Sequence, residues 1–125
     1  MEDSESNAVC SAKKYFESFP KDFRNRYHFL PKLRAKHIKK RGKNRGKLDF
    51  PWIVTQLHKS SYYNMGLCSL CIELALSDAE ANDLLKISIR NSYSFSPNSR
   101  TFAYEFYAQK CNLLGITRDP NFPDW

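Results

Sequence analysis

The chain has 125 residues and a net charge of +7, room for one modest domain. Its 42% hydrophobic and 14% aromatic content excludes a wholly disordered chain, and no stretch approaches the ~18 apolar residues of a membrane span. The opening Met1-Glu2-Asp3-Ser4-Glu5-Ser6 is acidic and polar, the opposite of a secretory signal. The four Cys residues are therefore expected to be reduced thiols in a cytosolic or nuclear setting.

The charge is unevenly spread. Residues 1–12 hold three acids and no base, residues 13–47 hold 14 Lys and Arg against two acids, and residues 48–125 hold six against eight. This divides the chain into residues 1–47, an acidic tip, short helix and basic arm, and residues 48–125, a compact helical domain with an extended C-terminal tail. Ser4 and Ser6 lie among Glu2, Asp3 and Glu5, a setting that acidophilic kinases favour.

A short helix is expected over 8–19, limited by Pro20, with Phe16 and Phe19 on one side. Residues 20–31 mix aromatics (Phe23, Tyr27, His28, Phe29) with Arg24 and Arg26. Such rings either enter a core or stack on unpaired bases. The basic arm follows: Lys32, Arg34, Lys36, Lys39, Lys40, Arg41, Lys43, Arg45 and Lys47, nine cations in sixteen residues with no acid among them. Charges this dense are too costly to desolvate alone. They point to nuclear import and to nucleic-acid phosphates, each contact releasing a counterion.

A helix capped by Asp49, with Pro51 near its first turn, is expected to run to about His58. Ser60, Ser61, Asn64 and Gly66 mark a loop. Leu67, Leu70, Cys71 and Leu74 repeat at helical spacing. Ser77-Asp78-Ala79-Glu80 reads as a capping box opening a new helix, with Leu84, Leu85, Ile87 and Ile89 on its apolar side. Residues 92–98 read as a loop. The last helix is expected from Arg100 to Leu114, stopped by Gly115. Its rows Phe102-Phe106-Leu113 and Tyr104-Tyr107-Cys111-Leu114 form a wide apolar side, and Phe102, Phe106 and Tyr107 are the candidate partner-docking residues. The fold class is mostly α: a small helical domain of about four helices with a basic, partly disordered N-terminal arm.

Cys68-x-x-Cys71 is half a zinc site that His58 and either Cys111 or another His would complete. The second close pair is missing, and Cys71 lies on an apolar stripe where a reduced Cys is an ordinary core residue. The expected cofactor is none. His28, His37 and His58 are scattered, and no phosphate loop, nucleophile elbow or metalloprotease motif is present. Asp78, Glu80 and Asp83 are the acids expected in a helix's first turn. No catalytic residue is assigned.

Phe50-Pro51-Trp52-Ile53-Val54-Thr55-Gln56-Leu57-His58, then Asn64-Met65-Gly66-Leu67-Cys68, resembles the small nonstructural nuclear phosphoprotein of bocaparvoviruses and aveparvoviruses, with a second echo in residues 99–110. Leu57 interrupts the family's Gln-His pair, Leu67 replaces a Trp, and the later Cys-x-x-Cys has no counterpart beyond Cys111. The resemblance implies a non-enzymatic regulator in the host nucleus. Such a protein acts on viral splicing, polyadenylation and genome replication through host RNA-processing proteins. The alternatives are a silencing suppressor or packaging protein that binds RNA or DNA, and a small zinc-stabilised module.

Overall fold

A computed structural model describes residues 5–22, 48–60, 62–92 and 97–123. The whole basic arm and the aromatics Phe23 to Phe29 lie outside the described residues. Five helices are described: α1 (Asn7–Glu17), α2 (Phe50–Lys59), α3 (Tyr63–Glu73), α4 (Asp78–Ser92) and α5 (Pro97–Leu114). The mostly helical fold class holds.

Helix α3 is the axis of the body. Seven consecutive residues, Met65 to Cys71, are buried, and a helix apolar all round belongs inside a core. It starts at Tyr63, inside the segment expected as a loop. Asn64 and Gly66 are helical, and Gly66 serves packing, since a Cβ there would collide with Ser60 Oγ. The helix ends through Leu74 and Ala75, the latter at φ 48°, a left-handed position unusual for a residue with a side chain. Leu76 N–H then closes on Cys71 O at 3.1 Å.

Helix α3 packs mainly on α1 and α2. Helix α1 packs on α3 and α5, α2 on α3 and α4, and α4 on α5. Helix α2 buries Ile53, Val54 and Leu57 and leaves Trp52 exposed. Asp49 holds the N-cap position but makes no side-chain cap bond. The capping box forms as expected: Glu80 N–H donates to Ser77 Oγ, and Ser77 N–H donates to Glu80 Oε1, both at 3.0 Å. Helix α4 buries Ala81, Leu84, Leu85, Ser88 and Ile89, with Ile87 only partly covered. Helix α5 starts at Pro97, three residues before the expected Arg100; a proline fits a first helical turn, where its missing N–H has no partner to lose. Gly115 takes φ 63° and stops the helix.

The N-terminal helix departs from the division at residue 47. It belongs to the body: Ala8, Val9 and Ala12 are buried, and Ala8 and Ala12 belong to the main core. Its fully buried residues are small, while Tyr15 packs partly buried against the core and Phe16 and Phe19 are only partly buried. Ser11 on α1 and Gly115 approach so tightly that a Cβ on Gly115 would sit 2.8 Å from Ser11 Oγ. The helix begins one residue early and stops at Glu17, before Phe19. Its N-terminus is pinned from two directions. Ser6 Oγ accepts from Val9 N–H at 3.0 Å and donates to Leu76 O at 2.6 Å. Asp78 Oδ1 accepts from Ala8 N–H at 2.9 Å, and Asp78 Oδ2 accepts from Asn7 Nδ2 at 3.1 Å.

The tail also folds back rather than running out extended. Ile116 and Phe122 are buried, and Lys86 Nζ holds Asp119 Oδ2 at 2.6 Å. That ammonium group keeps the Asp119 carboxyl below the usual carboxylate range.

Two outcomes follow for stability. Asp78→Ala removes two hydrogen bonds at the start of α1 and should cost about 1–2 kcal/mol in denaturant unfolding, with hydrogen exchange accelerating first in residues 8–17. Glu73 carries two buried carboxylate oxygens without a hydrogen-bond partner, and burial pushes its pKa up to about 7. A carboxyl with a raised folded pKa favours folding at low pH, and this contribution is lost as pH rises through about 7. The urea midpoint should therefore fall between about pH 5 and pH 8, and Glu73→Gln should flatten that slope.

Candidate docking face and the cysteine set

Helix α5 presents its aromatics in two directions. The buried row is Ala103, Tyr107, Cys111 and Leu114. Phe102 is 62% exposed and Tyr104 44% exposed. Phe106 is partly buried, its ring meeting Tyr63 edge-on at 4.9 Å and 74°. Phe102 and Phe106 lie one turn apart on one side of the helix, and Lys110 continues that side, its ammonium 4.7 Å from the Phe106 centroid and 5.7 Å from that of Tyr63. Partial burial lowers the Lys110 pKa.

Tyr107 is not on that face. It is fully buried; its hydroxyl donates to Asn82 Oδ1 at 2.6 Å and accepts from Asp119 N–H at 2.8 Å. Burial pushes its pKa up to about 12. The reason is rotation: Tyr107 is one residue, about 100°, beyond Phe106, which turns it from the rim onto α4 and the tail.

Beside Phe106 opens a cleft of about 460 Å³, lined by Leu57, Ser60, Tyr63 and Ile89 with His58 and Ser92 at its edge. At its side Ser88 Oγ bridges His58 Nε2 at 2.8 Å and Tyr63 Oη at 2.9 Å. Sequence reasoning missed this trio. The readable signal was Ser88 itself, a polar residue on the apolar stripe of Leu84, Leu85 and Ile89. Ser88 is 1% exposed and its hydroxyl is bonded twice, so it sets the cleft's shape by holding His58 and Tyr63 in place. The cleft suits an apolar or aromatic group bounded by a cation.

The zinc set is not assembled. Among the described residues no three His, Cys, Asp or Glu side chains converge where a metal would sit. His58 is turned to Ser88, while Cys68, Cys71 and Cys111 are free and buried. Burial pushes the Cys68 thiol up to about 12 and raises Cys71 and Cys111 as well. Burial thus favours the protonated thiols.

Comparison with protein-family models, with curated proteins and with solved structures found no match.

The thiols give a direct check on this packing. Native protein treated with an alkylating reagent at mildly alkaline pH should be modified rapidly at exposed Cys10 alone, with Cys68, Cys71 and Cys111 reacting only after denaturation. Mass spectrometry of the labelled peptides reads the result.

Proposed function

We propose that the chain is a non-enzymatic nuclear regulatory protein. Its basic segment carries it to the nucleus and contacts nucleic-acid phosphates, and its helical body docks a protein partner through Phe102 and the cleft beside Phe106. The observation that carries this reading is the run of nine Lys and Arg within residues 32–47, joined to a body whose own formal charge is slightly negative. A segment of that density has no core to enter and a polyanion as its natural counterpart.

Two features of the fold bear on the reading. In the chain, the segment lies between α1 and buried Leu48, both of which belong to the folded body. Of the motifs that resemble parvoviral nonstructural phosphoproteins, Ile53, Val54, Leu57, Met65, Gly66, Leu67 and Cys68 are buried, whereas in residues 99–110 the buried positions are Ala103 and Tyr107. The buried positions speak for packing rather than for chemistry. The process served, viral RNA processing and genome replication in the host nucleus through import and RNA-processing proteins, rests on that resemblance alone.

Replacing Lys39, Lys40, Arg41, Lys43, Arg45 and Lys47 with Ala should leave the helical circular dichroism unchanged. It should also abolish nuclear accumulation of a fusion too large to diffuse through the pore. Nucleic-acid affinity of the parent should fall steeply with salt, and the sixfold variant should lose most of that dependence, since the slope counts neutralised phosphates. A fusion that stays nuclear, or an unchanged slope, sinks the proposal.

A further inference from the structure

The body's formal charge hides a second, smaller concentration of cations. Residues 48–125 contain six Lys and Arg. Four of them, Lys86, Arg90, Arg100 and Arg118, gather where the tail meets α4 and the start of α5. Arg90 lies 5.3 Å from the Phe122 ring centroid. Arg118 lies 5.9 Å from that of Tyr104, and its Nη1 donates to Tyr104 Oη at 3.2 Å. Asp119, the acid of this corner, is already held by Lys86. Between α5 and the tail is an open cavity of about 440 Å³, lined by Arg100, Thr101, Tyr104, Asn121, Phe122 and the prolines at 120 and 123.

The chemistry of this lining is specific. Tyr104 keeps 44% of its surface exposed and provides a flat π-face. Asn121 brings a side chain with both a donor and an acceptor, as a base edge requires. The Arg100 guanidinium lines the cavity, and Arg118, bonded to Tyr104 beside it, adds a second planar group suited to phosphate oxygens. A ring, an amide and a guanidinium lining one hollow, with a second guanidinium beside the ring, match a nucleotide better than a peptide, whose side chains do not pair a flat heterocycle with an anion at each repeat. We propose that this corner is a stacking site for an unpaired base of single-stranded nucleic acid. Tyr104 is the platform, and Arg118 and Arg100 meet the flanking phosphates. The inference deepens the nucleic-acid contact proposed above and rests on it. It adds what the basic segment lacks, a preference for single strands over duplex, because stacking needs a base outside a helix.

The test measures fluorescence anisotropy of a labelled oligouridylate and of a duplex of equal length. It uses the full chain and variants whose circular dichroism matches the parent. Tyr104→Ala should weaken the single strand about tenfold and leave the duplex unchanged. Tyr104→Phe, which keeps the ring and loses the bond to Arg118, should stay within about twofold of the parent. Arg118→Gln should reduce the single-strand salt slope by about one contact. The inference is overturned if Tyr104→Ala binds the single strand like the parent, or if Tyr104→Phe loses as much as Tyr104→Ala. Displacement of the strand by equimolar uridine monophosphate would assign the corner to free nucleotides and overturn it too. The sixfold arm variant separates the two proposals. If it loses duplex binding while Tyr104→Ala has no effect on the single strand, the arm reading stands and this one falls. If it binds both like the parent while Tyr104→Ala discriminates, the reverse holds.

Discussion

One hydroxyl organises the C-terminal half of this protein. Tyr107 is sealed in the core, and a buried hydroxyl without partners costs more than its ring gains at the margin. Its partners come from two separate segments, Asn82 on α4 and the backbone of Asp119 in the tail. Its ring lies 4.6 Å from that of Phe122. The helix, its neighbour and the tail are thus registered by one side chain. Once Asp119 N–H is fixed there, the Asp119 carboxylate falls to Lys86, and the tail is laid along α5 beside Tyr104. The cavity at that corner is a consequence of the hydroxyl's need for partners. With a pKa near 12, the hydroxyl keeps its proton, and so its role as donor, across the neutral range.

The N-terminal half is organised by a carboxylate in the same way. Asp78 opens α4 and also accepts from the first turn of α1. One negative charge therefore meets the positive ends of two helices. Helix α1 fully buries little apolar bulk of its own, Ala8, Val9 and Ala12, with Tyr15 partly buried, and hydrophobic burial scales with area. Polar fastening at its start compensates for that small payload. With α1 in place α3 is covered, and the unbroken buried run Met65 to Cys71 has somewhere to hide.

What was legible in the sequence was local. The Ser77–Glu80 box and the Gly115 stop need only residues three or four apart, and both formed as expected. What was hidden depended on distant neighbours. Gly66 reads as a breaker until Ser60 is placed against it. Phe16 and Phe19 read as sharing one side of α1, yet its positions in the main core are Ala8 and Ala12, with Tyr15 packed partly buried against it. Tyr104 and Tyr107 are alike in composition and sit in one expected apolar row. Only the tail, brought round by Asp119 and Phe122, decides that one is core and the other surface. The trio of His58, Tyr63 and Ser88 joins three helices across 25 and 30 residues, a separation no periodicity reports.

In the chain, the basic segment of residues 32–47 lies between α1 and Leu48. On the proposed reading, a strand held by those cations would meet a second contact on the body as an intramolecular event, at an effective concentration set by the connecting chain. A stacking site worth only about 1–3 kcal/mol per base would be invisible as an isolated binder, yet joined covalently to the basic segment it would decide which strands are retained. Affinity on this view resides in the cations of residues 32–47, and discrimination resides in the folded helices. That is why a near-neutral body with one cationic corner serves such a segment better than a uniformly basic one, which would hold every polyanion alike.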